Sequence, residues 1–391
     1  MSRNILKNIR ILDFSWVLAG PYATRLLADF GAEVIKVQPL LPEAEDKFSK
    51  SYYNAWNRNK LGITLNLAKP EGVEIARKLV GISHAVVENF SSRVMANFGL
   101  DYPELIKIKP DIIMLSLSVM GHTGPQQDYC GFGPTVQAFS GMTGLTAYPA
   151  GPPLGIGFSY SDHIAALYGS MALLGALEHH RNTGEGQYID LSQTETAASM
   201  MADAILNFTM NGKDPRPVGN SSETAAPHGV YPCKGKDRWC AISVSTEEQW
   251  ARFKRVMPDQ HWVEDPKFKT LNDRLANIEA LDNLIKGWTK QHTAEEVMSL
   301  LQNENVPAGV VQNAADLARD PQLISRGFFL NTQKPGEGVD FLDASPIKLS
   351  GAKAEHRREA PDKGRDNDYV YSELLGISEH ELIRLRESNV I

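Results

Sequence analysis

Apolar and polar residues along this chain fall into blocks that predict a succession of strands and helices. Residues 9–14 (IRILDF) read as a buried strand, and the chain then runs through SWVLAG into Pro21, a residue type favoured in the first helical turn. A helix is predicted over 22–30, stopping at Gly31, with a second strand at 33–37. This is a βαβ unit, whose parallel strands need helices on their faces. Ile63, Leu65 and Leu67 alternate with polar or small residues as a strand does. Pro70 opens a helix to about 80, and 85–88 (AVVE) and 112–117 (IIMLSL) are further strands, with helices near 92–98 and 102–109 between them. The predicted fold class is therefore α/β, a doubly wound open parallel sheet forming a large domain. Such sheets bind ligands at the carboxyl ends of their strands.

Strand and helix periodicity fades over 121–160, a stretch with nine glycines. A loop of this length in a compact enzyme is usually functional. It delivers the chain to Asp162 and then to 164–177, where nearly every residue is apolar or small. A helix there has no polar face and is expected to be buried on all sides. Its run of 14 residues is shorter than the roughly 18 needed to cross a bilayer. His179, His180 and Arg181 suit the negative end of its dipole, and Gly184 and Gly186 break it. Asp162 is thus a carboxylate at the positive end of a core helix. One reading makes it, or Ser161, an N-cap that accepts free N–H groups of the first turn. A second makes it a nucleophile that attacks an activated acyl group, kept ionised by the helix terminus. The two readings are compatible.

A strand at 187–191 and a helix over 192–212, opened by an S/T-x-x-E start, follow. Residues 214–226 are rich in Pro, Gly, Ser and Asn and read as a linker. Beyond it, 229–245 predicts a hairpin turning at 235–237, with helices near 246–256, 272–291 and 293–304 and a short strand beginning at Val310. The predicted organisation is a large α/β domain over 1–213, the linker 214–226, a small α+β domain over 227–328, and a segment 329–391 that returns to complete the large domain.

Composition is that of an ordinary soluble globular enzyme, 42% apolar and 22% charged with a net charge of −7. Mild acidity argues against nucleic acid as a partner, since such binders concentrate Lys and Arg. Cys130, Cys233 and Cys240 form no close C-x-x-C pair, so reduced, structural thiols in a cytoplasmic protein are expected, without a metal site or disulfide framework. The strand pattern starts almost at once, so no signal or transit segment and no membrane association are expected. The first strand–helix turn, L-A-G-P-Y-A, lacks G-x-G-x-x-G, which weakens a nicotinamide reading.

These segments together resemble the class III CoA-transferases, a family that includes formyl-CoA:oxalate and carnitine-type enzymes and is related to the methylacyl-CoA racemases. The resemblance covers essentially the whole chain. It rests on L-D-F-S-W-V-L-A-G-P-Y-A-T-R-L-L-A-D-F-G-A-E-V-I-K-V at 12–37, N-L-A-K-P-E-G at 66–72, V-E-N-F at 87–90 and S-V-M-G-H-T-G-P at 118–125. F-S-Y-S-D-H at 158–163, H-R-N-T-G-E-G-Q-Y-I-D at 180–190, G-V-Y-P-C-K-G at 229–235 and V-P-A-G-V-V at 306–311 complete it. The resemblance implies a CoA-transferase that moves CoA from an acyl-CoA donor to a free carboxylic acid, with Asp162 as the nucleophile. An aspartyl mixed anhydride and an enzyme thioester are the implied intermediates, and coenzyme A is the only cofactor-like molecule, with no metal. CoA would lie over Val17, Leu18, Ala19, Leu65, Asn66, Leu67, Ala68, Asn89, Arg93 and Gly121. Backbone N–H groups near Gly121 and in the turn at 16–19 would stabilise the oxyanion. The family folds as two interlocked rings, implying a homodimer, or a heteromer with a similar subunit.

Departures from the family pattern carry information. Relatives that use oxalate have a glutamine where this chain has Leu18, and a glycine-rich lid that it lacks. An apolar or aromatic acid, or a longer dicarboxylate, fits this site better than oxalate. Pro39 replaces an arginine that often packs on adenine, and Arg93 is displaced from some relatives' phosphate position. The main alternative is a 2-methylacyl-CoA racemase, which needs a second base on the far face of the α-carbon. Racemases place a histidine in the loop before the core helix, where this chain reads Gly131-Phe132-Gly133, while His122 and His163 sit elsewhere.

Overall fold

In the computed structural model, which describes residues 4–40, 47–257, 261–333 and 339–391, six strands form one parallel sheet. They are β1 (Arg10–Asp13), β2 (Glu33–Gln38), β3 (Leu61–Thr64), β4 (Ala85–Glu88), β5 (Ile113–Ser118) and β6 (Tyr188–Ser192), in the spatial order β3-β2-β1-β4-β5-β6. Helices cover both faces, which explains why the strands read as continuous apolar runs. Leu12, Ile35, Val86 and Met114 enter the core on one face. Their chain neighbours Ile11, Val34, Ala85 and Ile113 enter the core on the other. The alternation follows from the period-2 pleat. The third strand ends sooner than its apolar alternation predicts, so Leu65 and Leu67 lie past it, with the Leu65 N–H bonded to the Gln38 carbonyl.

The long helix Tyr160–Thr183 lies against this sheet and ends, as its sequence predicts, at Gly184 with φ +76°. Its buried residues are mostly small, Ala165, Ala166, Gly169, Ser170 and Ala176, together with Leu173 and Leu177. A β-carbon on Gly169 would stand 2.8 Å from Leu117 Cδ2. The expectation of burial on all sides is not met within this chain. Leu167, Met171 and Leu174 are exposed, at 52%, 64% and 42%. Absence of polar residues from a helix face shows that the face is suited to burial, and the single chain does not supply what covers it.

Two other predicted elements differ. The stretch 121–160 contains two short helices, Gly133–Phe139 and Met142–Leu145, which its glycines conceal. The helix expected over 192–212 is broken into Gln193–Ser199 and Ala202–Asn211, although its predicted cap forms, with Ser192 Oγ accepting the Glu195 N–H.

The chain divides into two compact units, one of Met1–Gly144, Leu154–Pro215 and Ile324–Ile391, the other of Leu145–Pro153 and Arg216–Leu323. The second unit has an antiparallel sheet of three strands, with the hairpin His228–Pro232 and Trp239–Ser243 extended by Ala308–Val310. Helices pack on it around Trp250, Phe253, Phe268 and Trp288.

Within the first unit, the segment from Ile324 is stitched to the sheet domain by ion pairs. Arg25, 1% exposed, donates to Asp343 through both terminal nitrogens at 3.1 and 2.8 Å. Buried Arg58 grips buried Asp29 in a two-point pair at 3.0 and 2.6 Å and also reaches Asp343. Removing one member of such a pair leaves an uncompensated buried charge. Asp29→Ala is expected to lower stability by about 3 kcal/mol, read as a drop in the urea midpoint without a change in slope.

Candidate active site

The carboxyl ends of β1, β4, β5 and β6 converge on one edge of the sheet, where several predicted site residues lie. The turn after β1 is held from below by Asp13, the last residue of that strand. Its carboxylate accepts from the Ser15 N–H at 2.9 Å, Thr24 Oγ1 at 2.7 Å, Lys36 Nζ at 3.3 Å and Lys60 Nζ at 2.9 Å. Burial alone would raise this carboxyl, but Lys36 and Lys60, helped by the Ser15 and Thr24 hydroxyls, hold it well below the usual range. Lys60 also donates to the Pro21 carbonyl and Asn57 Oδ1, both at 2.9 Å. Sequence reasoning missed this network. The available signal was a charged residue inside each of two apolar strand runs, since buried charges need partners.

From above, Asn89 grips the same turn. Its Oδ1 accepts the Trp16 N–H at 2.8 Å and its Nδ2 donates to the Trp16 carbonyl at 2.9 Å. Between the two anchors Val17 is held at φ +60°, a conformation unfavourable for a β-branched residue and costing about 1–3 kcal/mol. A β-carbon on Gly20 would stand 2.2 Å from that of Ser15, so the turn closes only with glycine there. The Trp16 N–H is occupied, whereas those of Val17 and Leu18 have no acceptor among the described residues. The helix after the turn starts at Ala19, earlier than Pro21 suggests.

Asp162 is the third residue of the long helix, not its cap. Ser159 is the N-cap and makes no side-chain capping bond, and Ser161 donates to the Gly133 carbonyl at 3.3 Å. Asp162 Oδ2 lies directly over Gly133, where a β-carbon would come within 2.6 Å of it. Burial pushes its carboxyl up to about 6, while its own N–H and the Ser161 hydroxyl pull the other way. The carboxyl is therefore still mainly ionised at pH 7, although burial rather than the helix terminus sets the direction of its shift. Next to it, His163 packs on Tyr22 at 5.3 Å and Trp56 at 5.2 Å, which brings the start of the long helix beside the turn after β1.

After β5 the chain turns at Gly121, φ +84°, and the His122 N–H donates to both oxygens of Asp190 at 2.9 and 3.1 Å. This N–H is likewise occupied. The His122 ring reaches back to Glu88, the last residue of β4, with Nε2 3.5 Å from Oε1.

The structure thus brings Val17, Leu18, Ala19, Asn89 and Gly121 to neighbouring strand ends. Leu65, Asn66, Leu67 and Ala68 follow the edge strand β3 instead. There Asn66 is tied to the C-terminal residues, its N–H to the Val390 carbonyl at 2.8 Å and its Nδ2 to that of Asn389 at 3.1 Å. Lys69 Nζ donates to the Ser388 carbonyl. Arg93 is exposed but paired with Asp128, Nε to Oδ1 at 3.0 Å, so its charge is partly neutralised within the chain. Among the described residues no group of three or more His, Cys, Asp or Glu side chains is placed to hold a metal ion. Nor is any helix long and apolar enough to cross a membrane.

The site thus gathers a partly buried, elevated carboxyl and two anchored strand-end turns. Comparison with known proteins defines the class. Residues 6–367 match CoA-transferase family III. The chain is 31% identical to succinyl-CoA–D-citramalate CoA-transferase of Chloroflexus aurantiacus, over 99% of its own length and 98% of the relative's. It is 30% identical to succinate–glutarate CoA-transferase of Agrobacterium fabrum, over 94% and 95% of the two chains. A CaiB/BaiF family protein from Brucella suis superposes with a TM-score of 0.87 at 29% identity, covering 96% of this chain and all of that one. The chain belongs to CoA-transferase family III and is an enzyme of that class.

Because the folded state binds a proton at Asp162 more tightly than an unfolded chain does, the contribution of this group to stability falls as pH rises from about 4 to about 6. Asp162→Asn removes that fall. The variant should gain on the order of 2 kcal/mol over wild type between pH 4 and pH 7 in urea denaturation.

Proposed function

We propose that this enzyme transfers CoA from a dicarboxylyl-CoA donor of the succinyl type to a second four- or five-carbon dicarboxylic acid, through covalent intermediates on Asp162. The observation that carries the reading is the Asp162 carboxylate itself, partly desolvated at the start of a helix and set so close to Gly133 that a side chain there would collide with Oδ2. Desolvation raises the basicity of a carboxylate and with it its nucleophilicity. The relatives named above, whose names pair succinyl or succinate with citramalate or glutarate, support the substrate class. Leu18, buried where oxalate-using relatives carry a polar residue, argues in the same direction.

The reaction balances without any other reagent. An Asp162 oxygen attacks the thioester carbonyl, the C–S bond breaks and CoA leaves as a thiolate, giving a mixed anhydride. The thiolate attacks the aspartyl carbonyl, which expels the donor acid as a carboxylate and leaves an aspartyl thioester. The acceptor carboxylate displaces the thiolate to form a second anhydride. The thiolate then attacks the acceptor carbonyl, and Asp162 is regenerated. Each tetrahedral intermediate carries an oxyanion, for which the unoccupied N–H groups of Val17 and Leu18 are the donors. CoA lies along Val17, Leu18, Ala19, Asn89 and Gly121, reaching towards Leu65, Asn66, Leu67 and Ala68, with Arg93 exchanging Asp128 for phosphate. A homodimer, interlocked as in the family, covers the exposed apolar residues of the two helices, including Leu167, Met171, Leu206 and Phe208.

Incubation with succinyl-CoA and a panel of free acids, read by mass spectrometry, should yield new dicarboxylyl thioesters. Absence of any new thioester would refute the reading. Asp162→Ala should eliminate transfer while the protein remains folded, and hydroxylamine should trap an acylated Asp162 only when donor is present. Since the ionised form attacks, kcat/KM should fall tenfold per pH unit below about 6.

A further inference from the structure

The buried cluster of Asp13, Lys36 and Lys60 sets two ammonium groups against one carboxylate. Lys36 alone would balance the charge of Asp13. A second buried ammonium is costly, because it loses its hydration and is repelled by the first. Burial, with Lys36, pulls Lys60 down to about 7, and Asp13 opposes them. Charge balance therefore does not account for Lys60, but its hydrogen bonds do. An ammonium has three N–H groups and no acceptor. Lys60 Nζ has three oxygen partners, Asp13 Oδ2, the Pro21 carbonyl and Asn57 Oδ1, each at 2.9 Å. Asn57 Nδ2 is committed to the Tyr53 carbonyl at 3.0 Å, which leaves its Oδ1 to accept.

These partners stand at both ends of the turn after β1. Asp13 is the last residue of β1, and Pro21 lies in the first turn of the helix Ala19–Asp29. Asn57 ends a third element, the helix Lys47–Asn57. Lys36 reaches Asp13 and the Ser15 carbonyl, both on the strand side of the turn. Asn89 bonds only Trp16 within the turn. Lys60 thus joins the strand end to the helix start, with Val17 between them at φ +60°, a conformation that persists only where its surroundings impose it. We propose that Lys60 is a positioning residue for transfer: by bracing Asp13 to Pro21 it aims the Val17 and Leu18 N–H groups at the oxyanion of each tetrahedral intermediate. The inference rests on the reading of those two groups as the oxyanion donors. Lys60 itself is fully buried and acts through the turn.

Lys60→Met keeps the length of the side chain and leaves Asp13 and Lys36 as a neutral pair, so no buried charge is stranded. With succinyl-CoA and an acid that wild type accepts, kcat of the folded full-length variant should fall about 100-fold, while KM for succinyl-CoA changes less than about threefold. The split arises because the oxyanion exists only after attack. A purely structural role would lower the urea midpoint and leave kcat of the folded enzyme at the wild-type value. Lys60→Gln, shorter by one atom but still an N–H donor, should show an intermediate kcat, and it carries the test if the Met variant does not fold. Gly20→Ala disturbs the same turn without touching Lys60, since its β-carbon would stand 2.2 Å from that of Ser15, and it should also lower kcat. Wild-type kcat in the Lys60 variants with a low kcat in Gly20→Ala overturns the role of Lys60 alone. Wild-type kcat in all of them overturns the oxyanion turn as well. Absence of transfer by wild type to every acid tested overturns the proposed function and this inference with it.

Discussion

The close approach of the long helix to the sheet at Gly169 is the contact on which the site depends. With no side chain there, the helix packs closely onto Leu115 and Leu117 of β5, and a β-carbon would crowd the ends of both leucine side chains. That approach sets where the first turn of the helix falls relative to the strand ends, and so where Asp162 stands. The small residues Ala165, Ala166 and Ser170 extend the same close packing along the helix. Dense packing of this kind transmits displacement, so a shift at Gly169 would be felt at the carboxylate.

Three carboxyls near the strand ends, two fully buried and Asp162 partly so, show how burial and charge compete. Asp13 meets two lysines and is driven well below the ordinary range. Asp162 and Glu88 meet no cation and are driven up, to about 6 and about 7. The difference is one of neighbours, not of depth, since Asp13 and Glu88 are both fully buried. A permanently charged Asp13 suits an anchor for the turn at 16–19. A carboxyl poised near neutrality suits a group that must exchange a proton or attack a carbonyl.

Legibility in the sequence followed the range of the interactions. Strand positions were readable because alternation and apolar runs reflect local pleat and burial. The cap at Ser192 was readable because it bonds an N–H three residues on. The short helix Gly133–Phe139 was hidden by glycines, one of which is kept open by Asp162, 29 residues further along the chain. Arg93 looked available for a ligand's phosphate because its partner, Asp128, lies 35 residues away. Motif order, read as a family resemblance, identified the class of enzyme where no single residue could.

By itself the sequence determined the parallel α/β sheet, the family, and the presence of a lone carboxylate at the start of a long apolar helix, because these depend on periodicity and order along the chain. Only the tertiary structure decided that Asp162 lies inside the first turn rather than capping it, that the pKa of this carboxyl rises, that Val17 is strained between Asp13 and Asn89, and that Glu88 faces His122. Those outcomes are set by desolvation and by partners remote in sequence, and neither quantity exists until the chain has folded.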